Sequence, residues 1–192
     1  MSGGRARPGR TNSLRPPEGE AWVWVTATMF GSITFRALGI HARRILDFLL
    51  YEHAMHAGRE NGNLVAPYKQ LEAWGVTAAD VRKGLEELYA TGFVRLVRQG
   101  LRQAGGGEAS RYALTWLPTH AGSPQEGRPT HDWVAVIQWL GGKGVGDVSA
   151  ARRWLKGQTA DAKRGKFAER NRRPTPHLKV VSPIKCEART GE

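Results

Sequence analysis

Apolar residues recur with a helical period from Ile40 to Ala57, where Ile45, Leu46, Phe48, Leu49 and Leu50 are interleaved with Arg43, Arg44, Asp47 and Glu52. Such a wide apolar face predicts a helix packed against two neighbours. Gly58 is placed to cap it, and Glu60-Asn61-Gly62-Asn63 predicts a turn before a short strand at Leu64-Val65. Pro67 to Trp74 predicts a short helix, opened by proline and closed by Gly75, with Leu71 and Trp74 on one face. Thr77-Ala78-Ala79-Asp80 matches a capping box, and Val81, Leu85 and Leu88 form the inner stripe of the helix that follows, to Thr91-Gly92.

The period then changes. Phe93 to Val97 and Tyr112 to Leu117 are rich in strand formers. The glycine-rich stretch Gln99 to Ser110 between them predicts an antiparallel hairpin with a long tip. Trp22 and Trp24 alternate with Val23 and Val25, as in a strand using both faces, and Trp74 and Trp116 are expected in the core. Trp133, Val136, Ile137 and Leu140 recur at helical spacing over Asp132 to Leu140, a stripe expected to pack on the domain rather than on a second copy. Ser149 to Lys156 predicts one more short helix.

The expected fold class is therefore α+β: a three-helix core with a two-stranded hairpin, a winged helix-turn-helix, extended by short C-terminal helices. The expected organisation is a disordered arm at 1–20, the domain at 21–118, a linker at 119–130, a helical extension at 131–157 and a basic tail at 158–192. The arm and the tail carry too little apolar surface to offset the entropy of ordering.

Composition narrows the function. The 192 residues hold 29 Lys+Arg against 17 Asp+Glu, a net charge of +12. A polyanionic partner is favoured, nucleic acid first. The charge is uneven: +2 over residues 1–20, +3 over 21–120 and +7 over 121–192. A single cysteine, Cys186, excludes an intrachain disulfide and any multi-thiolate metal site. His53 and His56 lack further ligands nearby beyond Glu52 and Glu60, so they read as helix-end polar residues. Neither a phosphate loop nor a nucleophile motif occurs, and Gly105-Gly106-Gly107 lacks the Lys-Ser/Thr a phosphate loop needs. No enzyme activity, cofactor or metal is expected. Neither a secretory signal nor an apolar run of membrane-spanning length is found, so a cytoplasmic, nucleoid-associated protein is expected.

Ala42-Arg43-Arg44-Ile45-Leu46-Asp47, Asn61-Gly62 and Gly92-Phe93-Val94 resemble the winged-helix proteins common on plasmids and integrated elements of alphaproteobacteria. These are similar to the DNA-binding modules of plasmid replication initiators. Ser32 to Leu38 and Thr130-His131-Asp132-Trp133 also fit, so the resemblance spans roughly residues 22–135. It implies binding of double-stranded DNA and leaves open whether transcription, replication or recombination is served.

In a helix-turn-helix the second helix enters the major groove. Its outward positions here are Ala79, Arg82, Lys83 and Glu86, behind Thr77 at the cap. Arg82 and Lys83 suit guanine O6 and N7, and Ala79 suits a thymine methyl. Glu86 and Glu87 would repel phosphate and limit the depth of the helix. Tyr68 and Lys69 suit phosphate contact, and the hairpin offers Arg95, Arg98, Arg102 and Arg111. A basic arm adds Arg152, Arg153, Lys156, Lys163, Arg164, Lys166, Arg170, Arg172 and Arg173.

Transcriptional regulation is the leading expectation, with an origin- or attachment-site-binding module as the alternative. A winged helix that binds protein, with no specific DNA site, is the third reading. One such domain reads a short half-site, so a homodimer or tandem loading on DNA is expected. His177 to Val181 is an apolar island that either docks as a strand on a protein partner or stays unstructured.

Overall fold

A computed structural model describes residues 19–100, 107–120 and 127–163. The fold is α+β: helices around a small antiparallel sheet. In chain order the elements are α1 (Ala27–Gly31), α2 (Ile33–Ala37), α3 (Ile40–Met55), β1 (Leu64–Val65), α4 (Tyr68–Ala73), α5 (Ala78–Ala90), β2 (Val94–Arg98), β3 (Arg111–Leu114), α6 (Asp132–Gly142) and α7 (Val148–Lys163). Among the described residues no helix is long and apolar enough to cross a membrane.

The middle of the chain follows the hydrophobic pattern. Ile45, Leu46, Phe48 and Leu49 of α3 are buried against Val81 and Leu88 of α5. α3 and α5 cross where Gly84 sits: a methyl group there would stand 2.6 Å from Ile45 Cδ1 and 3.2 Å from the Ala42 nitrogen. Mid-helix glycine costs about 1 kcal/mol of helix propensity relative to alanine, and the close approach is what it permits. Glu87 reinforces the crossing. Its carboxylate, buried with the side chain, accepts from the Gly39 N–H at 2.8 Å, at the start of α3, where the glycine has no side chain to cap the helix.

The sheet order is β1-β3-β2, so β3 is central. Leu64 pairs with Tyr112 on one side of it and Leu96 with Tyr112 on the other. Asn61 fastens this sheet to the preceding turn. Its buried side chain donates to the carbonyls of Leu114, Leu117 and Pro118 and accepts from the Leu114 N–H at 2.7 Å. The chain leaves strand geometry after Leu114, earlier than the apolar run suggested. Thr115 to Leu117 turn inward, stay buried, and Thr115 donates to the Gly92 carbonyl at 2.6 Å.

The C-terminal helices belong to the same core. Trp133 of α6 stacks on Phe93 with centroids 6.2 Å apart. Gly92, at φ +74°, makes room: a Cβ there would meet the Asp132–Trp133 backbone at 2.8 Å. Thr130 and His131 both donate backbone N–H groups to the Thr115 carbonyl at 2.9 Å. Ala151 and Leu155 of α7 form a second cluster with Ala37, against which Ala90 packs.

Several expectations are corrected. Trp22 to Val25 is not in the sheet. Val23 and Val25 pack on the core, while Trp22 and Trp24 are exposed and the Trp24 carbonyl accepts from Trp116 Nε1. Trp74 is not a core residue; it lies 37% exposed against Phe48 and Tyr51, whereas Trp116 is fully buried. The last helix runs to Lys163 rather than Lys156, because Thr159 continues its buried side. The supposed tail at 158–192 therefore begins as helix. The supposed linker is tied down where described, by a Thr119–Gly127 bridge. The N-terminal arm up to residue 18, and the tail from 164 including its apolar island, lie outside the described residues.

Two predictions follow from this packing. Gly84→Val drives two methyl groups into Ile45 and the α3 backbone, so it should lower stability by about 2–3 kcal/mol or more, read by thermal or urea unfolding. His53 is buried at the end of α3, and burial first, then nearby His56, holds its pKa below the ordinary value. The unfolded chain therefore binds the proton more readily. Stability should fall as pH drops below the ordinary histidine pKa of about 6.5, until the folded-state pKa is passed. Melting temperatures across that range should show the decline, and His53→Gln should flatten it.

Candidate nucleic-acid interface

The turn between α4 and α5 is set by hydrogen bonds. Val76 N–H donates to the Leu71 carbonyl at 3.0 Å and Gly75 N–H to the Glu72 carbonyl at 2.9 Å, with Gly75 at φ +75°. This is the paired closure of a Schellman motif, and it needs a glycine at that position. The Arg44 guanidinium of α3 donates to the Gly75 carbonyl, fixing the turn to the core. α5 then starts at Ala78 with Thr77 as its N-cap residue.

The capping box is not formed as expected. Thr77 makes no side-chain bond to the helix N–H groups; its hydroxyl donates to Asp80 Oδ2 at 2.6 Å. Asp80 also faces His41 Nε2 at 3.5 Å. Its carboxylate is drawn back to α3, which competes with the reciprocal cap.

Ala78, Ala79, Arg82 and Lys83 are exposed on α5. Glu86 is corrected: it does not stand outward. It is 7% exposed, and its Oε1 accepts from Arg82 Nε at 2.8 Å. Glu87 is likewise held inside, at Gly39. Neither carboxylate is an exposed charge in the path of a phosphate. Among the described residues no ion pair engages Lys83.

Tyr68 and Lys69 are exposed at the start of α4. Tyr68 neighbours the stacked pair Tyr89 and Tyr112, whose centroids are 6.5 Å apart. Burial, then Tyr112, pushes the Tyr89 phenol far above its ordinary range, and burial raises Tyr112 too, so both stay neutral hydrogen-bonding groups.

The hairpin arginines are mostly employed within the fold. Arg95 pairs with Asp132 at 2.7 Å, joining β2 to α6. Arg111 donates to the Asn63 side chain. Arg98 pairs with Glu108 at 2.8 Å and is exposed at the root of the hairpin tip. Arg102 lies outside the described residues. On α7, Arg152, Arg153 and Lys156 are exposed. Lys163 ends the helix, and Arg164, Lys166, Arg170, Arg172 and Arg173 lie outside the described residues.

The structure therefore brings Thr77, Ala79, Arg82 and Lys83 onto one helix, with Tyr68 and Lys69 on the preceding one. It separates Arg95 and Arg111 from them in role. Sequence reading missed His41 and Arg44, which hold the start of α5 and the turn before it. Their helical spacing was visible, but their partners lie more than thirty positions away. Among the described residues no three metal-ligating side chains converge; His56 faces Glu52 at 3.3 Å.

Neither a protein-family model, a curated protein nor a solved structure matches the chain.

The pairing predicts a division of labour. Arg95→Ala should cost about 1–2 kcal/mol of stability, because Asp132 then loses a charge-assisted partner. Lys83→Ala should leave the melting temperature within about 1 °C, as expected for an exposed site removed from structural contacts. Equal losses for the two variants would overturn this division.

Proposed function

We propose that this protein binds double-stranded DNA through a winged helix-turn-helix over residues 21–118, and that it acts as a transcriptional regulator. The observation that carries the reading is the element order. A helix, a short strand, two helices joined by a glycine turn, and a hairpin that completes the sheet as β1-β3-β2 are the parts of that module. The exposed face of α5 supports it, because Ala79, Arg82 and Lys83 are small or basic, Glu86 and Glu87 are buried, and Asp80 is held by Thr77 and His41.

In this reading α5 lies in the major groove with its N-terminal half toward the bases. Lys83 donates to a guanine edge and Ala79 permits close approach. Arg82 reads a base only by leaving Glu86, so its contribution is an exchange of partners rather than a gain. Lys69 grips phosphate. Arg98 and Arg102 serve the hairpin, which follows the backbone or the adjacent minor groove. Arg95 and Arg111 are kept for the fold.

The test is binding of duplex DNA as salt is raised. With about six phosphates neutralised, affinity should fall roughly a thousandfold between 50 and 200 mM salt. Lys83→Ala should cost about 1–3 kcal/mol on a selected site and much less on mixed sequence. Binding indifferent both to salt and to Lys83 would overturn the reading. Crosslinking to genomic DNA separates its biological forms: peaks at promoters support regulation, whereas one peak at an origin or attachment site replaces it with the replication or recombination role.

A further inference from the structure

The outward row of α5 does not end at Lys83. Ala79, Lys83, Glu86 and Ala90 follow one another at spacings of four, three and four, so they share one face of the helix. Ala79 and Lys83 are exposed, but Glu86 is buried and Ala90 packs into the cluster formed with Ala37, Ala151 and Leu155. α7 thus lies on the C-terminal end of the same face whose N-terminal end carries Lys83. α5 and α7 are in direct contact, and α2 touches α7 as well.

The buried stripe of α7 is Ala151, Leu155 and Thr159. Trp154 flanks it on one side and meets Trp139 of α6 at 6.1 Å. Arg152 and Lys156, one helical turn apart, flank it on the other side, away from α6. Both are exposed, and no ion pair engages them among the described residues. From Val148 to Ala160 the helix contains no acidic residue; Asp147 precedes it and caps its first turn through the Ala150 N–H at 2.8 Å.

We infer that α7 is a fixed phosphate-gripping edge beside α5, acting through Arg152 and Lys156 on the sugar-phosphate backbone of a duplex, rather than the start of a detachable arm. The inference rests on the DNA-binding reading above. A duplex engaging Ala79 and Lys83 must pass close to a helix docked on the same face of α5. An acidic helix there would exclude it. A basic one, held by its packing on Ala37 and Ala90, meets phosphate without the ordering cost of a flexible tail. It also confines base reading to the first half of α5, since the second half is covered.

The experiment uses the full chain and a fluorescent mixed-sequence duplex, with anisotropy followed over a range of salt. Arg152→Ala with Lys156→Ala should make the slope of log affinity against log salt shallower by about 2 and weaken binding roughly tenfold or more at physiological salt. Its thermal unfolding should match the parent. The same increment should persist when Arg164, Lys166, Arg170, Arg172 and Arg173 are all changed to Gln. A third variant, Ala151→Asp, keeps both cations but puts a carboxylate into the docking cluster, and it should lose the same increment. If Lys83→Ala weakens binding to a selected site while the double variant leaves the slope unchanged, the edge is wrong and the DNA-binding reading stands. Full affinity in a folded Ala151→Asp protein would show an arm instead and overturn the fixed edge. Should Ala151→Asp fail to fold, amide hydrogen exchange of residues 148–160 in the parent protein takes its place: protection as strong as that of α5 supports the fixed edge, and free exchange overturns it. Absence of salt-dependent binding in the parent protein removes the DNA-binding reading and this inference with it.

Discussion

The crossing of α3 over α5 at Gly84 is the constraint on which the remaining geometry depends. With Ile45 Cδ1 and the α3 backbone this close, the rotation of α5 about its axis is fixed. Two polar ties on either side of the glycine hold the same register: Asp80 toward His41 and Glu87 onto the Gly39 N–H. A helix rotated by one position would bring a side chain to the place where only glycine fits. The exposure of Ala79, Arg82 and Lys83 is therefore a consequence of what α5 does on its inner side.

That constraint also sorts the charges. α5 carries Asp80, Glu86 and Glu87 against Arg82 and Lys83, a net −1 by formal count. Its acids are each engaged, with His41 and Thr77, with Arg82, and with Gly39. The basic character is left on the outer surface, although the helix as a whole is not basic. On the hairpin the reverse holds, because Arg95 and Arg111 are used to fasten β2 to α6 and β3 to Asn63. Formal charge per segment thus understates the positive charge exposed on α5 and overstates that of the hairpin.

The hydrophobic period made α3, α5 and α6 legible, since each buries residues at helical spacing, and α4 was legible from Pro67 before it and Gly75 after it, with Leu71 alone buried. The hairpin was legible from its strand formers and glycine-rich tip. α1 and α2 were not, because five-residue helices capped by Thr26 and Ser32 carry too short a pattern to show a period. Trp22 and Trp24 alternate like a strand yet stay exposed outside the sheet, and it is Val23 and Val25 that pack on the core. The length of α7 was missed because its continuation, Gly157 to Lys163, has little apolar content. Thr159 is nonetheless buried, one turn beyond Leu155. Of the candidate site, the outward positions of α5 were readable from the inner stripe. The burial of Glu86 was not, because its place on the outward row of α5 gives no sign of being covered.

The unit that folds is therefore longer than the stretch from α3 to β3. A chain ending at Pro118 would keep every element from α3 to β3 but would strip Phe93 of Trp133, Arg95 of Asp132 and Ala37 of α7. Phe93 and Leu114 are fully buried in the intact fold, and the aromatic face opposite Trp133 would meet water. A buried ring of that size contributes about 2–3 kcal/mol, a large fraction of the marginal stability of a small domain. α6 and α7 thus have a structural role whatever they bind. On α7, Arg152, Arg153 and Lys156 stay on the outside because Ala151, Leu155 and Thr159 are the residues turned inward.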